Sequence, residues 1–140
     1  MTDDPMTDRL VKEIGLRTFA DRYLDVLEEG EVIRIAEQLG MDRSGAQAVI
    51  GSYCTETGTV REGTVRDAIR VKLSGIPDKL DRPAFDTLAE AARTAAGGAL
   101  PLREVQRLAI AVMEETGRSH VKRGWFRNWY AELKRELGVV

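Results

Sequence analysis

Side chains that donate hydrogen bonds to phosphate gather in one stretch near the end of this chain. Between Arg118 and Arg135 stand Arg118, Lys122, Arg123, Arg127, Lys134 and Arg135 against Glu132 alone, a net +5. Between Asp21 and Asp42 the balance reverses, with seven carboxylates against two arginines and a net −5, in a chain whose total charge is −2. Lysine and arginine displace counterions from a polyanion, so Arg118, Lys122, Arg123 and Arg127 are candidates for phosphate contact. Catalytic chemistry is harder to assemble. The single histidine, His120, lies in the basic run Ser119–Arg123 and reads as a surface histidine or one beside phosphate. Cys54 ends an apolar helical stretch as a small buried filler, and one cysteine excludes an internal disulfide or a multi-thiolate zinc site. The adjacent pairs Glu28-Glu29 and Glu114-Glu115 point to different sides of a helix and cannot converge as a carboxylate dyad. Gly58 and Gly97-Gly98 lack the neighbours of a phosphate-binding loop. No nucleophile–base pair or metal constellation results, so the expectation is a protein that is not an enzyme and uses no cofactor or metal.

The elements that position these residues follow from periodicity and punctuation. With 140 residues, 43% hydrophobic and 31% charged, the chain has enough apolar surface for one compact unit or two small ones. No apolar run approaches the ~20 residues of a membrane span. The start, Met1-Thr2-Asp3-Asp4-Pro5, is acidic where a secretory signal is basic and then apolar, so a cytoplasmic location is expected. Apolar residues from Leu10 to Leu27 recur at helical spacing and predict a helix over 7–29, with Gly15 as a kink or split and Gly30 as its end. Further helices are expected over 31–39, from Asp42 or Arg43 to Tyr53, from Thr64 to Gly75, from Pro83 to Gly97, from Pro101 to Glu115 and from Ser119 to Leu137. Thr55 to Gly63 reads as a loop in which Thr59-Val60 and Thr64-Val65 have the makings of a short hairpin.

Residues 24–53 carry the most specific pattern. Two short helices that cross steeply need a small residue where they touch, supplied by Ala36, and a turn residue tolerant of positive φ, supplied by Gly40. Ile35, Leu39 and Met41 are apolar anchors before the second helix, and Ala46 and Val49 lie inside it. Arg43, Ser44 and Gln47 are left on its outer side, near its N-terminus. This stretch resembles the helix-turn-helix superfamily of DNA-binding proteins. The resemblance implies that the second helix enters the major groove, where Arg43, Ser44 and Gln47 would meet base edges. Against that reading, the surroundings are acidic, and Gly45, Ala46, Ala48 and Gly51 give the helix a small face suited to close helix packing.

The order Trp125-Phe126-Arg127-Asn128, followed by Lys134 and Arg135, looks locally like the recognition helix of homeodomains. That resemblance implies core roles for Trp125 and Phe126 and makes Asn128 a base reader. It covers only a few residues and departs at Gly124, Trp129 and Tyr130. The competing reading makes Trp125, Phe126 and Trp129 the hydrophobic anchor beneath a solvated basic face.

The expected fold is mainly α, with six to seven helices. An N-terminal trihelical helix-turn-helix unit over 1–58 packs with a C-terminal helical unit over 59–140, or both form one domain. The expected function is a small regulator that binds duplex DNA, with dimerisation or another homo-oligomer on affinity grounds and no membrane partner. The alternative is a helical adaptor or inhibitor that binds another protein, or self-assembles head to tail through its acidic and basic faces.

Overall fold

Most helices of this protein begin at a side chain that accepts a hydrogen bond from the opening turn: Asp4, Asp25, Asp42, Asp81 and Asn128. Each satisfies a backbone N–H that the helix itself leaves unpaired. The computed structural model describes residues 4–76, 79–117 and 128–139. They form a mainly α protein of two compact units, Met1–Gly63 and Thr64–Val140.

The first unit contains α1 (Pro5–Thr18), β1 (Tyr23–Leu24), α2 (Val26–Gln38), α3 (Arg43–Thr57) and β2 (Val60–Arg61). The three helices pack on one another around Leu10, Ile14, Leu24, Val32, Ile33, Ala36, Ala46, Ile50 and Cys54. The expected helix over 7–29 is two helices. Arg22 takes a left-handed conformation (φ 54°), and Asp25 starts α2 with a capping box. Its carboxylate accepts from the Glu28 N–H at 2.8 Å while Glu28 accepts from the Asp25 N–H at 3.1 Å. Gly30 therefore ends nothing; it lies inside α2, exposed, and the helix runs on to Gln38.

The hairpin expected between Thr59-Val60 and Thr64-Val65 does not form. Val60 and Arg61 pair in parallel with Tyr23 and Leu24, and the Val60 N–H donates to the Arg22 carbonyl at 2.9 Å. Thr64 and Val65 belong to α4 (Glu62–Ser74). The extended segments before α2 and before α4 thus satisfy each other across the two intervening helices, α2 and α3, a pairing that local turn chemistry does not reveal.

The second unit continues through α4 with α5 (Arg82–Ala95), α6 (Leu102–Glu115) and α7 (Trp129–Leu137). Phe85 and Leu88 of α5 and Val105, Ala109, Ile110 and Met113 of α6 are buried, and Tyr130, Leu133 and Leu137 bury one side of α7. Trp129 lies beside Phe85 with ring centroids 5.6 Å apart. Two arginines of α6 close the C-terminal end of α7. Arg107 donates to the Leu137 carbonyl at 2.8 Å and Arg103 to the Glu136 carbonyl at 3.0 Å, where cations also meet the negative end of the helix dipole. The last helix was expected from Ser119. Its described part starts at Trp129, because Asn128 is its N-cap with non-helical backbone (φ −92°, ψ 88°).

Candidate nucleic-acid interface

The start of α3 is set by a four-residue turn. α2 ends at Gln38, Gly40 takes φ +91°, and the Met41 N–H returns to the Ala36 carbonyl at 2.9 Å. Asp42 then caps α3 by accepting from the Gly45 N–H at 2.7 Å. A Cβ on Gly45 would stand 3.1 Å from the Asp42 carboxylate oxygen and 3.2 Å from Met41 Cγ, so the tight cap favours a residue without one. Ala36 is fully buried, as the small-residue argument requires, and Ile35, Met41 and Val49 pack against the core half-buried. Leu39 is not the expected anchor, being 38% exposed. Val32, Ile33, Leu10 and Ile14 hold the helices instead.

Arg43, Ser44 and Gln47 are all exposed. The buried stripe of α3 is Ala46, Ile50 and Cys54. At 100° per residue, Arg43 lies within about 20° of the centre of that stripe and is exposed all the same, so the first turn of α3 overhangs the apolar contacts. The small residues do not share one face: Ala46 is buried, Gly45 and Gly51 are half-buried and Ala48 is exposed. Ala48 and Val49 instead border a groove of about 520 Å3 with Val11, Asp8 and Tyr53, a concavity between α1 and α3 that has no local sequence signature.

Ion pairing decides which cations remain for a polyanion. Arg9 and Arg17 pair with Glu13 at 3.1 and 2.8 Å, Arg17 also reaches Glu31 at 3.1 Å, and Arg61 meets Glu29 at 2.8 Å. The hydrogen bonds from Arg17 and Arg9 hold the Glu13 carboxyl below its usual range. Lys12, Arg22, Arg34 and Arg43 make no ion pair among the described residues. The acidity of residues 21–42 is thus partly neutralised within the first unit, and Arg43 is a free cation at a helix N-terminus.

The basic tail is less uniform. Lys134 donates to Glu114 at 2.6 Å and sits 5.5 Å from the centroid of the Tyr130 ring, so its charge is engaged within the unit. Tyr130 also donates to Glu114 at 3.1 Å, and the lysine chiefly keeps the Glu114 carboxyl ionised to lower pH. Arg135 is exposed without an ion pair among the described residues. Asn128 accepts from the Ala131 N–H at 3.2 Å, so the proposed base reader serves as a helix cap. Trp129 belongs to the apolar packing, as the anchor reading has it. Arg118, Lys122, Arg123 and Arg127, with Trp125 and Phe126, lie outside the described residues. No protein family, no characterised protein and no solved structure matches this chain.

Proposed function

We propose that this protein binds duplex DNA through the start of α3, with Arg43, Ser44 and Gln47 as the groove-facing side chains. The observation that carries this reading is their shared exposure and freedom: a guanidinium, a hydroxyl and an amide on the first two turns of a capped helix, none engaged by a described neighbour. Such groups are suited to base edges, and the positive end of the helix favours phosphate. Arg118, Lys122, Arg123 and Arg127 add backbone contacts in this reading, and their charge offsets the acidity of the first unit. One helix covers few base pairs, so specific binding calls for a second copy or a second contact.

The test is fluorescence anisotropy on mixed-sequence duplex over a salt series. Contact with about six phosphates gives a log–log slope near −5. Arg43→Ala and Gln47→Ala should each weaken binding by about tenfold, in line with ~1–3 kcal/mol for a base-directed side chain. No binding at low salt, or unchanged affinity in both variants, overturns the proposal. A second reading, a helical adaptor that binds protein, is favoured by the exposed apolar side chains of the first unit.

A further inference from the structure

The groove between α1 and α3, at about 520 Å3, falls within the range of clefts that hold a small molecule. Its walls are apolar: Val11 from α1, and Ala48, Val49 and Tyr53 from α3. Tyr53 leans across to α1, where a Cβ on Gly15 would stand 3.5 Å from its hydroxyl oxygen. The residue is half-buried, yet that hydroxyl has no hydrogen-bond partner among the described residues. It is a polar group that the groove offers to an occupant.

The charge of the groove has one sign. Asp8 and Glu56 line it, and no lysine, arginine or histidine does. Lys12, one turn along α1 from Asp8, stands outside the lining. Other carboxylates of the unit are spent within it: Glu13, Glu29 and Glu31 in ion pairs, Asp4, Asp25 and Asp42 as helix caps. Asp8 and Glu56 have neither an ion pair nor a side-chain hydrogen bond among the described residues. Glu56 also stands in the last turn of α3, where the negative end of the helix adds to its charge instead of offsetting it. Two unpaired carboxylates beside apolar walls select for a cation with an apolar body. An anion meets repulsion there, and a wholly polar cation leaves the walls uncovered.

We propose that this groove binds a small organic cation, an ammonium or amidinium group on an aromatic or branched aliphatic body. The body packs on Val11, Val49 and Tyr53, and the cationic group donates to Asp8 and Glu56. At 100° per residue, Val49, Tyr53 and Glu56 lie about 60–120° to one side of the buried stripe of α3, and Arg43, Gln47 and Ser44 about 20–120° to the other. The groove and the residues assigned to DNA thus flank the stripe on opposite sides. The inference does not rest on DNA binding and is measured without DNA.

Nuclear magnetic resonance of the whole protein, labelled with nitrogen-15, tests it with three probes of one shape: phenethylammonium, the neutral 2-phenylethanol and the anion 3-phenylpropionate. Each is titrated to about 10 mM, the range in which fragment-sized ligands bind. Phenethylammonium should give saturable shifts centred on residues 7–11 and 48–57, with a Kd at least about fivefold below that of the alcohol and the anion weakest. The preference should shrink at high salt. The double variant Asp8→Asn/Glu56→Gln should bind cation and alcohol alike. Ala48→Trp, made at an exposed position, fills the groove and should abolish binding of both; circular dichroism shows that each variant is folded. No saturable shift in the wild type, equal affinity for all three probes, or a double variant that keeps the preference overturns the proposal. So does binding of a long basic amphipathic peptide where phenethylammonium fails, since the groove would then belong to a protein partner.

Discussion

Cys54 shows how burial sets chemistry at a single side chain. It sits on the buried stripe of α3, in the core of the first unit, and loss of hydration pushes its thiol above the ordinary value. The thiolate is the reactive form, so native protein should react with a disulfide reagent far more slowly than denatured protein, a difference read directly by absorbance. Fast native labelling would mean that α3 leaves the core readily. Tyr130 makes the corresponding argument at alkaline pH. Burial, and then the nearby Glu114 carboxylate, favour its neutral phenol and raise its ionisation well above the usual 10. Stability is then complete below the tyrosine value of an unfolded chain and lost as pH rises above it, since only the unfolded form releases the proton. Thermal melts from about pH 8 to about pH 11 should fall more steeply for wild type than for Tyr130→Phe. The roles of Ala36, Cys54 and Trp129 were legible from residue type and spacing. Asn128 was misleading because the same amide serves a base edge or a helix cap, and only the backbone at that position distinguishes the two.

Elements were legible where an apolar stripe and a terminator agreed, as in α5 and α6, and illegible where stop signals conflicted. Gly30 and Gly40 look alike in sequence, each ending a helical run before a charged or apolar segment. In the fold one is inside α2 with open space where a Cβ would go, and the other holds φ +91°. What separates them is Asp25: its capping box starts α2 upstream and carries the helix through Gly30. Gly30→Ala should therefore stabilise the first unit by about 0.5–1 kcal/mol, the helix-propensity gain. Gly40→Ala should destabilise it by about 1–2 kcal/mol, since an L residue resists the left-handed conformation. Urea melts of the two variants should move in opposite directions, and a common direction would contradict the assigned boundaries of α2. The β1–β2 pairing was missed for a different reason. Its partners are 37 residues apart, Tyr23 with Val60, and two-residue strands leave no alternation to read.

Charge is divided between the units in a way that bears on both proposals. Residues 1–63 hold thirteen acidic and seven basic side chains, a net −6, whereas residues 64–140 hold ten acidic and fourteen basic, a net +4. A polyanion approaching α3 thus meets a field that is repulsive overall, and Arg43 acts against it. Glu37 is the informative carboxylate. It is exposed in the last turn of α2, its carbonyl accepts from the Gly40 N–H, and it makes no ion pair among the described residues. If DNA docks at the start of α3, Glu37→Gln removes a repulsion near the phosphates and should raise duplex affinity about two- to fivefold at low salt. The gain should shrink by 200 mM salt, because the screening length falls below about 10 Å. Folding is little affected, since the exposed carboxylate has no partner to lose. An affinity that does not respond to Glu37→Gln at any salt would place the DNA away from this turn and return the acidic unit to a role in protein contacts.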